Sequence, residues 1–163
     1  MGTRTGDIDA SVVLAIMKKE GKTPDEMQDL LNKKSGLLGI SGLGSDMRDV
    51  ENGVKEGNER AKLALDMYNY RIKKYIGAYA AAMGGVDIIV WTAGVGENQT
   101  GTRLDACSDL EFLGIKMDAE ANKVRGKEAI ISTPDSKVTV CVIPTDEELV
   151  IASDTQKLVS KLG

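Results

Sequence analysis

The most informative stretch of this chain is VDIIVWTAGVGEN at residues 86–98. Its first part, residues 86–91, is a short apolar run of the kind that forms a buried strand. Gly94 and Gly96 follow closely, and glycine lets a backbone approach a flat or phosphorylated ligand. In open α/β sheets, ligands bind beyond the carboxyl ends of the strands. The stretch therefore predicts either a ligand-binding loop or an ordinary tight turn that leads into a helix.

Helices dominate the sequence before this strand. We predict a helix that Asp7 or Asp9 caps and that ends near Glu20, and a second helix that starts with a capping box of Thr23 and Glu26. An apolar loop over 37–44, a short helix over 45–53 and a long helix over 58–83 follow. After the strand, the pattern predicts a helix capped by Asn98 or Thr100 and a short helix over 118–124. A hairpin of strands 129–132 and 138–143 then precedes a final helix that starts at Thr145 or Asp146 and runs to about Leu162. About three strands are too few for this much helix, so we expect further strands to belong to the sheet.

Composition restricts the chemistry that these elements can carry. The chain has 163 residues, a net charge of −4 and no histidine. A net negative charge without a basic patch argues against a nucleic-acid partner, and no apolar run is long enough for a membrane span. Two cysteines and no signal peptide are typical of a cytoplasmic protein. Without histidine, the chemistry must rest on Arg, Lys, Asp, Glu and backbone groups, which suits phosphoryl transfer.

Two arginine-containing segments are candidate anion or nucleotide sites. Arg4 lies between glycines and is followed by Asp7, a carboxylate that could hold the guanidinium in place. Asp46 and Arg48 follow the glycine-rich segment, where a carboxylate can accept from ribose hydroxyls and a guanidinium can stack on a base. The alternatives are a disordered terminus for Arg4 and an ordinary helix cap for Asp46.

A third candidate lies at the start of the last helix. Glu147 follows a predicted strand directly, and a single carboxylate at a strand's carboxyl end can hold Mg²⁺ directly or through water. Acidic residues in a first helical turn also favour the helix dipole, which is the simpler interpretation.

Five motifs together resemble the acetate kinases. They are MGTRTGDID at 1–9, KKSGLLGISG at 33–42, SDMRD at 45–49, TAGVGEN at 92–98 and IPTDEEL at 143–149. The motifs follow the family's order and approximate spacing, and the resemblance covers essentially the whole chain. It implies that residues 1–163 are the C-terminal nucleotide-binding part of such an enzyme.

The resemblance implies a fold, a reaction and partners. The fold is α/β, the ribonuclease-H-like domain of the acetate and sugar kinase, Hsp70 and actin superfamily, truncated, helix-rich and with a small sheet of about three strands. The reaction is reversible phosphoryl transfer between ATP and acetate, which yields ADP and acetyl phosphate and serves acetyl-CoA biosynthesis. The implied cofactor is Mg²⁺ or Mn²⁺, and the implied assembly is a homodimer.

Residue by residue, the resemblance assigns the site. Arg4 is implied to be the catalytic arginine that stabilises the transferring phosphoryl group, and Glu147 the metal carboxylate. The implied nucleotide-binding residues are Asp46, Met47, Arg48, Gly94, Val95, Gly96, Glu97 and Asn98. Val95 stands where isoleucine is usual, and Asp146 where asparagine is common, which adds a charge beside Glu147.

The resemblance also implies what the sequence lacks. The family's catalytic histidine and aspartate, a second arginine, a metal-proximal asparagine, the phosphate loop, the N-terminal domain and the first strands of this domain all precede residue 1 in the family's order. We therefore expect this fragment to be inactive alone and to have a sheet edge whose backbone N–H and C=O groups are unpaired. Two alternatives stay open: a propionate or butyrate kinase, and a non-catalytic dimerisation or structural fragment.

Overall fold

The computed structural model describes residues 1–161, which form two compact units. The first unit is Met1–Tyr75 and the second begins at Ile76. Their boundary lies inside a continuous helix, α5 (Glu59–Met83).

The first unit is entirely helical. Its elements are α1 (Ala10–Glu20), α2 (Pro24–Lys33), α3 (Gly36–Ser41), α4 (Met47–Lys55) and the first part of α5. The predicted capping box is confirmed, because the Thr23 N–H donates to Glu26 at 2.8 Å and the Glu26 N–H donates to the Thr23 hydroxyl at 3.3 Å. Asp9, one of the two predicted caps, accepts from the Ser11 N–H at 2.7 Å.

The expected loop over 37–44 is wrong for its first half, which forms α3. Leu37 is 5% exposed and packs in the core of the first unit with Met47, Val50, Ala61 and Ala64. Burial of this apolar segment brings its backbone groups out of water, and a helical turn satisfies them. Of the glycines in the expected loop, Gly39 lies within α3, Gly42 ends the helix with φ of +73°, and Gly44 lies beyond it.

The second unit contains the predicted three-stranded sheet. Strand β1 (Ile88–Trp91) pairs in parallel with β3 (Thr139–Val142), which pairs in antiparallel fashion with β2 (Ala129–Ile130). The hairpin of β2 and β3 is confirmed, although all three strands are shorter than predicted. Strand β1 lies at an edge, where Ile88 and Val90 are 59% and 48% exposed.

Helices and turns complete the second unit. They are α6 (Ala93–Asn98), α7 (Thr100–Cys107), 3₁₀ turns at Glu111–Leu113 and Ala121–Lys123, and α8 (Glu147–Val159). The expected loop or turn does not extend over 94–98, because these residues lie in α6 and the turn after β1 is confined to Thr92 and Ala93. Gln99 rather than Asn98 or Thr100 precedes α7. The predicted helix over 118–124 is only a 3₁₀ turn. Asp146 caps α8 as predicted, and the expected end at Leu162 lies outside the described residues. No helix within residues 1–161 is long and apolar enough to cross a membrane.

Candidate functional site

Two chain segments leave the sheet of the second unit at the same edge. Strands β1 and β3 are parallel, and their last residues, Trp91 and Val142, are partners in the ladder. The Ile143 N–H donates to the Trp91 carbonyl at 2.9 Å, which extends the pairing by one residue. Residues 92–98 and 143–146 therefore start side by side at the carboxyl edge of the parallel pair, the position where α/β sheets bind ligands.

The two glycines of α6 have different surroundings. Gly96 is buried, and a Cβ built there lies 3.1 Å from the Trp91 carbonyl carbon, so a larger residue would be tightly packed against the strand. Gly94 is exposed, and among the described residues outside its own helix nothing lies within 4 Å of its Cβ position. Gly94 therefore borders open space, whereas Gly96 packs against the strand.

The turn into α6 has an unusual backbone conformation. Ala93 has φ of +58°, a left-handed conformation that a residue with a Cβ rarely adopts. Such conformations persist where the surrounding structure fixes them, and they occur often at functional sites. The Asn98 side chain donates to the Gly94 carbonyl at 3.0 Å, a hydrogen bond that joins the last residue of this short helix to its first turn.

Glu97 ties the α6 segment to the turn before α8. Its Oε1 accepts from the Thr145 N–H at 2.9 Å and from the Thr145 hydroxyl at 2.8 Å. These hydrogen bonds hold the pKa of the Glu97 carboxyl below its usual value, because they favour the charged form. Glu97 thus acts within the protein as an acceptor that fixes the neighbouring segment.

Arg103 is a residue that the sequence interpretation missed. The side chain is fully buried, and its Nη1 donates to the Gly96 and Glu97 carbonyls at 2.8 and 3.0 Å. Nη2 donates to the Asn122 and Val124 carbonyls at 2.6 and 2.7 Å, and Nε donates to the Asn122 side chain at 2.8 Å. Burial lowers the pKa of Arg103. An arginine inside the apolar face of a short helix was the only signal for this role.

Three carboxylates lie at the start of α8. Glu147 and Glu148 are exposed in its first turn, and the Asp146 side chain accepts from the Leu149 N–H at 2.9 Å. Within residues 1–161, no group of three or more His, Cys, Asp or Glu side chains is arranged to hold a metal ion. These carboxylates therefore fit Mg²⁺ only as partial ligands, which this ion accepts because it retains several waters and binds substrate phosphates.

Arg4 lies in the first unit, on an extended segment held by its backbone. The Thr5 N–H donates to the Leu31 carbonyl at 2.9 Å, and the Ser35 N–H donates to the Thr3 carbonyl at 2.8 Å. A Cβ at Gly36 would lie 2.5 Å from the Met1 carbonyl oxygen and 2.8 Å from that of Arg4. Only glycine at this position allows the segment to lie where it does.

Asp7 contacts helix α5 rather than Arg4. Its Oδ2 accepts from Arg71 Nη2 at 2.8 Å and from the Tyr75 hydroxyl. Within the described part of the chain, the Arg4 side chain is exposed and makes no hydrogen bond or ion pair. The expectation that Asp7 holds the Arg4 guanidinium is wrong, because the turn at Gly6, with φ of +73°, directs Asp7 to α5.

The predicted adenosine residues of the first unit lie at the start of α4. Asp46 caps the helix and binds Arg48 through both carboxylate oxygens, at 2.6 Å from Oδ2 to Nη2 and 3.1 Å from Oδ1 to Nε. The Arg48 guanidinium lowers the pKa of Asp46 to about 2. The Arg48 side chain remains 80% exposed, whereas Met47 is only 6% exposed in the core and offers a ligand little more than its backbone.

Each unit brings some of the predicted residues together. We refer to residues 1–8 as the Arg4 segment. In the first unit, a Cβ at Gly2 would lie 2.9 Å from the Ser45 carbonyl oxygen, so the backbone of the Arg4 segment passes close to the residue before Asp46. In the second unit, residues 94–98 and the turn before Glu147 meet through Glu97. The first unit also contains a cavity of about 610 Å³ whose lining includes Arg4, Asp7, Leu37, Tyr68, Arg71 and Tyr75.

These features define a helix-rich α/β protein with a glycine-containing segment and a carboxylate turn at the carboxyl edge of its parallel strands. The chain belongs to the acetokinase family, whose sequence profile matches residues 1–153. It is 65% identical over 161 residues to an acetate kinase of Phocaeicola vulgatus, which covers 99% of this chain and 40% of that protein. The predicted family is thereby confirmed.

Solved structures agree with the family assignment. The crystal structure of Porphyromonas gingivalis acetate kinase is 58% identical with a TM-score of 0.93, over 98% of this chain and 40% of that one. A propionate kinase from Francisella tularensis is 38% identical with a TM-score of 0.84, over 93% and 38% of the two chains. These similarities confirm the predicted fold class. The chain spans about 40% of the length of the relatives it matches.

Proposed function

We propose that this chain is the nucleotide-binding part of a phosphotransferase that moves a phosphoryl group between ATP and acetate and forms ADP and acetyl phosphate. The observation that carries the proposal is the match to the acetokinase family over residues 1–153. The proposal assigns this part of the reaction to residues 1–163, and it leaves the remaining catalytic groups to the rest of such an enzyme.

In this proposal, Arg4 stabilises the phosphoryl group during transfer. A guanidinium can contact two phosphoryl oxygens at once and offset the charge that they carry in the transition state. The Arg4 side chain suits this role because it is exposed and makes no hydrogen bond or ion pair within residues 1–161, while its backbone is fixed. The guanidinium is thus available to a ligand.

The proposed adenosine contacts come from residues 46–48 and 94–98. Arg48 offers an exposed guanidinium plane for stacking, and its pairing with Asp46 fixes its orientation. Gly94 provides open space at the carboxyl edge of the sheet, next to Val95. Glu97 and Asn98 hold this segment in shape, through Thr145 and through the Gly94 carbonyl.

We assign the divalent cation, Mg²⁺ or Mn²⁺, to Glu147. The cation would supply charge neutralisation for the phosphates of the nucleotide. Glu147 is exposed at the carboxyl edge, next to the turn that Glu97 anchors. One carboxylate with waters and phosphate oxygens is a sufficient ligand set for Mg²⁺.

A second candidate is a kinase for a longer carboxylate. The similarity to the Francisella tularensis propionate kinase, with a TM-score of 0.84, favours it. Propionate and butyrate differ from acetate only in apolar length, and none of the residues named above is assigned to the apolar end of the carboxylate substrate. Competition among the three carboxylates therefore decides the substrate.

The proposal also includes a homodimer and a cytoplasmic setting. Several large apolar side chains of α5 are exposed, including Tyr70, Tyr79 and Met83 at 62%, 62% and 67%. Exposed apolar surface of this kind is typical of chains that pack against further protein.

The test uses a complete enzyme. The matching 40% of the Phocaeicola vulgatus acetate kinase is replaced by this chain, and formation of the corresponding acyl phosphate is measured with acetate, propionate and butyrate. We expect turnover with acetate to be the highest, and a decrease on the order of 10³-fold for the Arg4→Ala variant with little change in ADP affinity.

Two comparisons sharpen this test. The variant Lys137→Ala changes an exposed cation far along the sequence from Arg4, and we expect it to keep full turnover. The 163-residue chain alone is expected to form no acetyl phosphate, because it spans only about 40% of its relatives. Equal turnover of the parent protein and Arg4→Ala would contradict the role of Arg4, and a folded graft that phosphorylates none of the three carboxylates would contradict the proposed function.

A further inference from the structure

Three side chains fix the C-terminal end of the segment that carries Arg4. The Asp7 carboxylate accepts from Arg71 Nη2 at 2.8 Å and from the Tyr75 hydroxyl, and both donors lie on α5 one helical turn apart. Asp7 is only three residues beyond Arg4 in the sequence. We refer to Asp7, Arg71 and Tyr75 as the Asp7 latch.

The N-terminal end of the segment is fixed by different contacts. Backbone hydrogen bonds join residues 1–5 to the end of α2 and the start of α3, including 3.1 Å from the Leu37 N–H to the Met1 carbonyl and 3.0 Å from the Leu38 N–H to the Gly2 carbonyl. The Arg4 side chain therefore projects from a short stretch that is held on both sides. The Asp7 latch and Arg4 line the same cavity.

The side chains of the Asp7 latch are exposed. The latch can therefore fix the position of the backbone while it contributes little to the free energy of folding. The Asp7 and Arg71 side chains are 71% and 42% exposed. Exposed ion pairs contribute little to the free energy of folding, because water screens them and the side chains lose freedom. A carboxylate held by two donors on one helix nevertheless defines where its backbone lies.

We propose that the Asp7 latch positions Arg4 for phosphoryl transfer, with Asp7, Arg71 and Tyr75 acting as positioning residues that do not touch the substrate. This inference rests on the proposed function, because it assigns a purpose to the geometry around Arg4. It predicts that the latch controls turnover rather than nucleotide affinity. A displacement of a catalytic group by about 1 Å can lower the rate on the order of 10²-fold.

The first experiment measures kinetics in the grafted enzyme. We expect Asp7→Ala to lower kcat by about 10- to 100-fold without a change in the KM for MgADP, and Arg71→Ala to do the same. The Asp7→Ala/Arg71→Ala double variant should be no slower than either single variant, because both changes open the same latch. Arg71→Lys keeps the charge and should restore part of the lost turnover.

A matched control separates the latch from exposed ion pairs in general. Asp29 binds both Lys33 and Lys34 at 2.8 Å on the surface of the same unit. Asp29→Ala removes an exposed carboxylate of similar connectivity that has no contact with the Arg4 segment. We expect this variant to keep the parent kcat and a melting temperature close to that of Asp7→Ala.

The second experiment does not depend on activity. Amide hydrogen exchange of residues 1–8 is compared in the parent 163-residue chain, Asp7→Ala and Asp29→Ala, and only Asp7→Ala is expected to exchange faster there. Unchanged kcat, additive effects of the two single variants, or unchanged exchange in Asp7→Ala overturns the positioning role. If the parent graft is inactive, the proposed function fails, and the exchange comparison alone decides whether the latch holds the Arg4 segment.

Discussion

Glu97 and Thr145 are joined by two hydrogen bonds to one carboxylate oxygen, at 2.9 Å from the Thr145 N–H and 2.8 Å from its hydroxyl. The pair connects the segment assigned to the nucleotide with the turn that precedes the carboxylate assigned to the cation. Both segments start at the carboxyl ends of neighbouring parallel strands, which explains why residues 48 positions apart in sequence meet.

This pair predicts an acid-dependent loss of stability. Its hydrogen bonds lower the pKa of Glu97 below the usual 4.5, so folding favours the carboxylate form. The stabilisation is fully present above pH 4.5 and is lost as the pH falls through the lowered pKa. We expect Glu97→Gln to melt below the parent chain at pH 7, and this difference to shrink in acid. A difference in melting temperature that is independent of pH would contradict this assignment.

The two glycines of α6 should respond oppositely to alanine. Gly96→Ala forces a Cβ to 3.1 Å from the Trp91 backbone, and we expect it to lower the free energy of unfolding by about 1–3 kcal/mol. Gly94→Ala enters open space and should leave stability unchanged while it weakens ADP binding in the grafted enzyme. Thermal unfolding and ADP titration of the two variants check both statements. Equal destabilisation by both substitutions would be inconsistent with the distinct surroundings of the two glycines.

Arg103 should be essential for the shape of the α6 segment. Arg103→Met removes five hydrogen bonds and leaves buried carbonyl oxygens without donors. We expect a loss of at least about 3 kcal/mol in the free energy of unfolding. Arg125→Met, at an exposed arginine, is the control and should have little effect. Denaturant unfolding of both variants measures this, and similar midpoints would contradict the role of Arg103.

Gly36 should be required for the position of the Arg4 segment. Gly36 and Gly21 have similar φ of +62° and +66°, but only at Gly36 would a Cβ meet backbone atoms, at 2.5 and 2.8 Å. Gly21→Ala therefore carries only the left-handed backbone penalty of about 1–2 kcal/mol. We expect Gly36→Ala to destabilise the chain further and to accelerate amide exchange over residues 1–8, which Gly21→Ala should leave unchanged. The opposite ranking in exchange would show that the Arg4 segment does not depend on Gly36.

The sequence predicted the parts of the fold that depend on local chemistry. The Thr23 capping box, the long helix α5 and the hairpin of β2 and β3 follow from side chains close in sequence, and all three are confirmed. Helices α3 and α6 were missed, because their glycines indicate turns locally while burial of Leu37 and Gly96 decides the backbone.

The candidate site shows the same division. Its motifs are contiguous, so the sequence alone was enough to propose Arg4, the residues 46–48 and 94–98, and Glu147, and these assignments stay predictions. The supporting contacts join residues far apart, as in Asp7 with Arg71 or Arg103 with Asn122, and no local pattern reports such pairs. The expected contact of Asp7 with Arg4 failed for this reason, since proximity in sequence was taken for proximity in space.

The most direct test of the central claim is a titration of the isotopically labelled 163-residue chain with MgADP, followed in an amide nitrogen–proton correlation spectrum. We expect a dispersed spectrum in which shifts concentrate at residues 46–48 and 94–98, and in which Gly94→Ala weakens these shifts. A dispersed spectrum that does not respond to MgADP at either segment would contradict the assignment of these residues to nucleotide binding.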